Sequence, residues 1–289
     1  SNLKVKKSLW TSLTIIGVPA AVVLVIPDVG SLLVFTAYFI ALFREGLSGW
    51  FFGVGGILAA VFLTALAIDP IYIIIGIALI YGIIILFNSY KIHWDIYAVV
   101  YFAGSFILLC GLAYGSPKIL EKMPKHQRER IEVLYKGEKA FRDTSGYNLL
   151  YSKTAIGSGG FFGKGYKEGS VTQGKFVPEQ ETDYIFCTVG EEWGFFGASV
   201  LILFYTIFIG RIYYLSEQQK STFNRVFGYC FASILLMHFA INLGMVMGLF
   251  PTVGIPLPFF SYGGSSFLAF SIMTFIFFKL NYTDRNSLV

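Results

Sequence analysis

The acidic residues are the first candidates for chemistry in this 289-residue chain. Pro178-Glu179-Gln180-Glu181-Thr182-Asp183 puts three carboxylates within five residues and runs straight into an apolar stretch. Like charge and partial burial raise the pKa of one acid in such a group, which suits a general base. The plainer reading makes Asp183 a helix-terminal carboxylate with Thr182 as the cap, where the helix dipole favours an acid. The residues leave both open. Glu191 and Glu192 follow two turns further on, within the apolar stretch. Acids at membrane depth are costly and are usually functional or paired, here with a basic group on a neighbouring helix. Asp28, in Ile26-Pro27-Asp28-Val29-Gly30, is either an ordinary turn residue or a fourth acid at the same mouth as Asp183.

Two further segments invite a ligand. Gly157-Ser158-Gly159-Gly160-Phe161-Phe162-Gly163-Lys164-Gly165 suggests phosphate binding. It has neither the Gly nor the Ser or Thr that a P-loop requires, and no strand–helix setting for a dinucleotide fingerprint. A tight turn, or a glycine segment lying against a ligand or the bilayer, is the simpler reading. Pro251, Pro256 and Pro258 forbid a continuous helix over 250–261. Non-helical apolar backbone at membrane depth must be buried in protein or line a watery cavity, so 250–261 is expected to be re-entrant. Gly263-Gly264-Ser265-Ser266 then opens the last helix, where free amides and hydroxyls could hold phosphate or small residues could pack closely.

These residues must be positioned by membrane helices. Apolar residues make up 55% of the chain and charged residues only 13%, with a mean hydropathy of +0.67. That excludes a soluble globule, a disordered chain, a collagen and a disulfide scaffold. Cys110, Cys187 and Cys230 are widely spaced in apolar runs and give no disulfide framework. His93, His126 and His238 are scattered, so no metal site is expected. Eight stretches are long enough, or nearly so, to span: 9–26, 29–43, 49–68, 70–89, 95–114, 183–210, 223–249 and 262–280. The expected fold is an all-α polytopic membrane bundle of about eight spans.

Short loops alternate in charge. Lys4, Lys6, Lys7, Arg44, Lys91, Arg211, Lys220, Arg225, Lys279 and Arg285 fall on one side; the turns at 27–30, 69–70 and 250–261 carry no Lys or Arg. The positive-inside rule then places both ends in the cytoplasm. Residues 115–182 hold the other 12 Lys and Arg and become one long extracytoplasmic loop, helical in its first part from Pro117 to Arg142. The expected domains are therefore 1–114, with five spans, the loop 115–182, and 183–289, with three spans and the segment 250–261. The chain opens Ser1-Asn2 without Met or a signal-peptide pattern, which reads as a piece of a longer protein.

Several of these motifs together resemble the SEDS family (shape, elongation, division and sporulation proteins), and within it the rod-shape branch. They are Ser152-Lys153-x-Ala155-Ile156-Gly157-Ser158-Gly159-Gly160, Pro178-Glu179-Gln180-x-Thr182-Asp183-Tyr184, Gly190-Glu191-Glu192-x-Gly194-Phe195-x-Gly197 and Gly248 through Ser266. Pro27-Asp28-x-Gly30 and His126-Gln127-Arg128-x-Arg130-Ile131 match two more. The resemblance implies a peptidoglycan glycosyltransferase in the bacterial inner membrane, polymerising lipid II on the extracytoplasmic side with a class B penicillin-binding protein as partner. It implies Asp183 as the catalytic group, with Asp28 near it in a central cavity. An attacking sugar hydroxyl needs a base, and a pyrophosphate leaving group needs positive charge. Lys153, Arg128 and Arg130 are candidates for the phosphates; Glu179, Ser265 and Ser266 complete the expected substrate-binding set. No cofactor is expected; the expected partners are lipid II, the class B penicillin-binding protein and membrane lipids, with no nucleic acid.

The chain departs from the family at Ile26, Tyr151 and Glu181, where Gln, Gln and His are usual. Counting spans against the family's ten implies missing N-terminal helices and an inserted hairpin within 49–94. Two other functions compete: a lipid II transporter, favoured by midplane acids and broken helices, and a scaffold that only positions the penicillin-binding protein.

Overall fold

The computed structural model describes residues 6–26, 28–88 and 95–286. Lys4, Pro27, Lys91 and His93, which entered the sequence argument, lie outside them. The described residues form α1 (Lys6–Val25), α2 (Val29–Phe35), α3 (Ala37–Arg44), α4 (Trp50–Ala67), α5 (Pro70–Asn88), α6 (Ile96–Lys122), α7 (Lys125–Lys136), α8 (Tyr147–Ser158), α9 (Ser170–Gln173), α10 (Ile185–Glu217), α11 (Thr222–Met247) and α12 (Gly264–Asn286). Six of these, α4, α5, α6, α10, α11 and α12, are long and apolar enough to cross a membrane. The first two expected spans correspond to the shorter apolar helices Trp10–Val25 and Gly30–Arg44. The protein is an all-α polytopic membrane bundle.

The chain divides into two compact units: Ser1–Ser48 with Phe141–Val289, and Gly49–Ala140. The segment 115–182, expected as one loop, is thus shared between them. In the second unit α4, α5 and α6 pack on one another, with α7 against α4. Their common core is small, Ala65, Ile77 and Ala113, ringed by Ile73, Tyr81 and Phe106. Tyr81 donates to Ser105 Oγ at 2.8 Å, a hydrogen bond between helices that apolar surroundings favour. The expected end of the fifth span at 114 is corrected: α6 runs eight residues further, through Pro117, to Lys122. Ser116 Oγ donates to Leu112 O, and Ser116 and Leu120 stay buried. The helix therefore keeps a packed face beyond Pro117 and stops only before Pro124, whose ring disfavours helical backbone at Met123.

In the first unit α11 is the central helix. Of its spanning stretch, 56% is buried, against 11% for α10 and for α12. Its sequence is apolar on all sides, as a helix surrounded by others must be. Phe231, Ala232, Leu235, Met245 and Val246 are buried there, and α3, α8, α10 and α12 pack around it. Gly228 allows the closest approach, because a Cβ there would overlap Ser216 Oγ of α10. α11 ends at Gly248 in a left-handed conformation, the usual glycine stop for a helix.

Candidate active site

The turn that carries Asp183 is folded around Glu179. The Glu179 carbonyl accepts from the amides of Thr182, Asp183 and Tyr184 at 3.3, 3.0 and 3.2 Å, and Glu179 itself takes φ +53°. A non-glycine residue in that region stores strain that the surroundings must hold. Gln180 Nε2 donates to Thr188 Oγ1 at 3.1 Å, which fastens the turn to α10. The expectation that Thr182 caps a helix at Asp183 is corrected. The helix begins at Ile185, its N-cap Tyr184 makes no side-chain cap bond, and the Thr182 hydroxyl turns back to Glu179 O and Oε2. The triple acceptor at Glu179 draws Thr182 into the turn and away from the helix.

Asp183 is half-buried. Its carbonyl accepts from Asn242 Nδ2 at 2.8 Å, and the same amide donates to Ile255 O at 2.7 Å. Its Oδ2 lies 3.2 Å from where a Cβ on Gly254 would stand, and Gly254 has φ +70°. Asp28 reaches the same segment from the other side of the sequence. It is the N-cap of α2, accepting from Ser31 N at 3.0 Å and Ser31 Oγ at 2.6 Å. The Ser31 hydroxyl, then its amide, holds the Asp28 carboxyl below the usual carboxylate range. A Cβ on the neighbouring Gly30 would stand 2.5 Å from Val253 O. The turns of Asp28 and Asp183 therefore both pack on residues 253–255.

That segment and the residues after it have no regular structure, yet three of the carbonyls from 255 to 258 are held by side chains. Ile255 O accepts from Asn242, Pro256 O from His238 Nδ1 at 3.2 Å, and Pro258 O from the Tyr205 hydroxyl. Buried backbone polar groups require such partners, and here α10 and α11 supply them. Sequence reasoning passed over Asn242 and Tyr205 and took His238 only as an isolated histidine. A polar residue inside the run Ile241-Asn242-Leu243 was the available signal.

The other expected residues are distributed as follows. Lys153 lies on the exposed side of α8, with Nζ 3.6 Å from where a Gly248 Cβ would stand. Ser265 and Ser266 sit in the first turn of α12. Glu181 O accepts from Tyr262 N at 2.8 Å, tying the acid turn to the approach to α12. Arg128 and Arg130 lie on α7 in the second unit, and Arg128 Nε is 3.6 Å from Glu132. An open hollow of about 550 Å³ is lined by Gln173, Lys175, Glu179, Glu181, Thr182 and Tyr262, among others. Asp183 is absent from its wall; the carboxylate faces Gly254 instead.

Glu191 and Glu192 are buried and do not face this hollow. Glu191 pairs with Lys164 at 2.6 Å and accepts from Val171 N at 3.0 Å and Thr172 N at 2.8 Å. Its partner comes from the glycine-rich loop, where a neighbouring spanning helix was expected. Three residues beyond Glu191, α10 breaks at Gly194, with φ +62° and ψ −161°. The break frees four backbone groups, and the loop takes all four. Glu191 O accepts from Lys164 N and Glu192 O from Gly165 N, each at 3.0 Å. Phe195 N donates to Gly160 O at 2.9 Å and Phe196 N to Phe161 O at 3.0 Å. Only glycine allows this contact: a Cβ on Gly163 would overlap Glu192 O, and one on Gly159 would overlap Gly190 O. The glycine-rich run is a backbone splint for a broken helix.

The FtsW/RodA/SpoVE model, described as "Cell cycle protein", matches residues 57–286, and the chain belongs to that family. It is 40% identical over 146 residues to the peptidoglycan glycosyltransferase MrdB of Escherichia coli strain K12, covering 50% of this chain and 39% of the relative. It is 31% identical over 173 residues to the peptidoglycan glycosyltransferase RodA of Treponema pallidum, covering 60% of this chain and 40% of the relative. The chain thus spans about two fifths of the length of these curated relatives. A solved chain from work on the structural coordination of polymerization and crosslinking by a peptidoglycan synthase complex aligns with a TM-score of 0.47. That alignment has 18% identity and covers 95% of this chain and 98% of that one.

Proposed function

We propose that the whole protein is a peptidoglycan glycosyltransferase that polymerises lipid II, with Asp183 as general base. The observation that carries this reading is the meeting of two acidic turns, at Asp28 and Asp183, on the irregular segment 253–255. In the reaction a sugar hydroxyl attacks the anomeric carbon of a second, lipid-linked sugar. The new C–O bond forms as the bond to pyrophosphate breaks, and Asp183 accepts the hydroxyl proton. One carboxylate suffices, because pyrophosphate leaves without needing an acid. Lys153, beside Gly248, and the opening amides of α12 at Ser265 and Ser266 are the groups of this unit suited to the phosphates. The hollow with Glu179, Glu181, Lys175 and the exposed ring of Tyr262 has the mixed polar and aromatic lining that suits a saccharide. The site lies on the extracytoplasmic side of the bacterial inner membrane, and a class B penicillin-binding protein is the working partner.

The transporter reading rested partly on Glu191 and Glu192 as midplane acids. Glu191 is engaged by Lys164 and two backbone amides, which suits a fixed structural carboxylate better than a relay. The test is glycan-strand synthesis from lipid II by the purified full-length protein with its penicillin-binding partner. Asp183→Asn is expected to lower synthesis by at least about 10²-fold, the usual scale for a lost general base. Complex formation should persist. Near-normal synthesis would remove the assignment.

A further inference from the structure

The splint at Gly194 sits at a particular level of α10. No large apolar side chain of α10 is exposed before Trp193. From there the exposed set is Trp193, Phe195, Phe196, Val200, Leu203, Phe204, Ile207 and, at the far end, Tyr214. From Phe195 to Tyr214 is 19 residue steps (214 − 195). At about 1.5 Å per step that is roughly 28 Å, close to a hydrocarbon core of about 30 Å. Both ends of this band carry interfacial residues: Trp193 at one, and Tyr214 under the guanidinium of Arg211 at 5.2 Å at the other. Residues Ile185 to Glu192 precede the band, with Phe186, Cys187, Val189, Glu191 and Glu192 buried within the protein. The membrane boundary on the Asp183 side therefore falls at Trp193.

The backbone ladder pins Gly160 to Gly165 at that same level, since these residues bond to positions 191, 192, 195 and 196. The side chains of the turn are sorted. Lys164 points inward to Glu191, whereas Phe161 is 57% and Phe162 79% exposed. Phe161 also touches Phe195, with ring centroids 5.8 Å apart, so the aromatic surface of the turn continues the lipid-facing band of α10.

We propose that the Gly160–Gly165 turn is a membrane anchor, seating Phe161 and Phe162 in the headgroup boundary of the leaflet on the Asp183 side. The occupant of this aromatic surface is the bilayer, because the surface is continuous with a face that the bilayer already covers. Aromatic rings gain most at that depth. A consequence follows, resting on the glycosyltransferase reading. From Ile185 to Trp193 the helix rises about 12 Å at ~1.5 Å per residue. The headgroup zone is only about 5–8 Å thick on each side. Asp183 is then held beyond the phosphates of a lipid-linked substrate, at the height of its sugars.

The full-length protein, with every native cysteine replaced by Ala, Cys110, Cys187 and Cys230 among them, would carry a nitroxide at Phe162→Cys. It would be placed in vesicles of phosphatidylethanolamine and phosphatidylglycerol. Power saturation with oxygen and with a water-soluble nickel chelate reads depth, against Gln173→Cys as aqueous and Phe204→Cys as mid-bilayer references. The expected oxygen-to-nickel ratio at 162 is several-fold above that at 173 and below that at 204. A ratio equal to that at 173 would place the turn in water and overturn the proposal. Protection from both reagents, alone or only with a partner protein added, would mean that protein covers the surface, and would overturn it too. Should the cysteine-free protein misfold, Phe162→Trp in the otherwise native chain gives the same answer. Lipids brominated high on the acyl chain should quench the added fluorescence more than lipids brominated near its end, and absence of quenching refutes the anchor. Neither readout depends on catalysis, so failure here leaves the Asp183 assignment to its own test.

Discussion

The two ends of the first unit fix the acids of their turns in different ways. At one end acids meet bases directly. Arg44 grips Glu217 with two nitrogens, Tyr229 adds a hydroxyl at 2.6 Å, and Arg225 holds Glu45 through bonds of 3.1 and 3.3 Å. Asp284 closes the α10–α11 turn by accepting from the amides of Lys220 and Ser221. At the other end, Asp28 is held by a serine, and the turn of Asp183 by an asparagine and the Glu179 carbonyl. Neutral donors and acceptors order the backbone of those two turns. Paired charges lock helix ends at one end; at the other, Lys164 and Glu191 fasten the glycine-rich loop while the two acidic turns are shaped by neutral dipoles. Arg44, Lys220 and Arg225 of the short loops lie at the first end.

If that contrast is right, Asp183→Asn has the largest effect on activity and little on folding, as set out above. The next largest concerns Asn242, whose Nδ2 alone serves two buried carbonyls. Asn242→Leu leaves Asp183 O and Ile255 O without that donor, at about 1–3 kcal/mol each. We expect a clear fall in thermal stability in detergent, and with it a loss of polymerisation, although Asn242 donates only to backbone. An unchanged unfolding temperature would show that the acid turn is held by something else.

The splint gives a third way to break the contrast. Gly163 has φ +83°, and a Cβ there would collide with the Glu192 carbonyl. Gly163→Ala should destabilise by more than about 1 kcal/mol. Gly157, on the exposed side of α8 with open space around it, is the control. Gly157→Ala should be neutral or stabilising by up to about 1 kcal/mol, since alanine is the better helix former. Equal behaviour of the two would show that the ladder at Gly194 does not bear on stability.

Much of this was legible in the sequence, for reasons tied to particular residues. Runs such as Ile71 to Phe87 can only be spans, and the prolines at 251, 256 and 258 can only break one. The break at Gly194 was not legible, because Gly190-Glu191-Glu192-Trp193-Gly194 reads equally well as continuous helix. Its partners at Gly160 to Gly165 lie some thirty residues away, and no local period records a backbone ladder. Thr182 was misread for a related reason. Its spacing from Ile185 suits a cap, but the turn at Glu179 competes for its hydroxyl and wins. The acids at 28 and 183 were singled out by type, whereas the amide that orders their shared segment lay hidden inside an apolar helix.

Asp28 supplies a fourth prediction. Its carboxyl is held low by Ser31, so the cap contributes at neutral pH. That contribution is lost as pH falls through the lowered value, below the ordinary carboxylate range. Asp28→Ala should cost about 1 kcal/mol at neutral pH and nearly nothing in strong acid. Asp28→Ser keeps a capping oxygen without a titrating group and should flatten that dependence. Unfolding temperatures of the three proteins across the acid range decide it.

The smallest effect is expected at the ion-paired end. Arg44 and Glu217 are 39% and 49% exposed, so water and salt screen their attraction despite the two-point contact. Coupling between Arg44→Gln and Glu217→Gln, taken from the two single variants and the double, should be no more than about 1 kcal/mol and should shrink in high salt. Polymerisation should be unchanged in all three, since this end carries no substrate group. The measurement discriminates because a helix-end lock and a catalytic carboxylate predict opposite signatures. Neutralising a carboxylate here should be nearly silent in activity and visible only in salt-dependent stability. Neutralising Asp183 should be silent in stability and visible in activity. A large activity loss from Glu217→Gln, with folding intact, would mean that the two ends are coupled through α10 and α11, and that the division of labour between them is wrong.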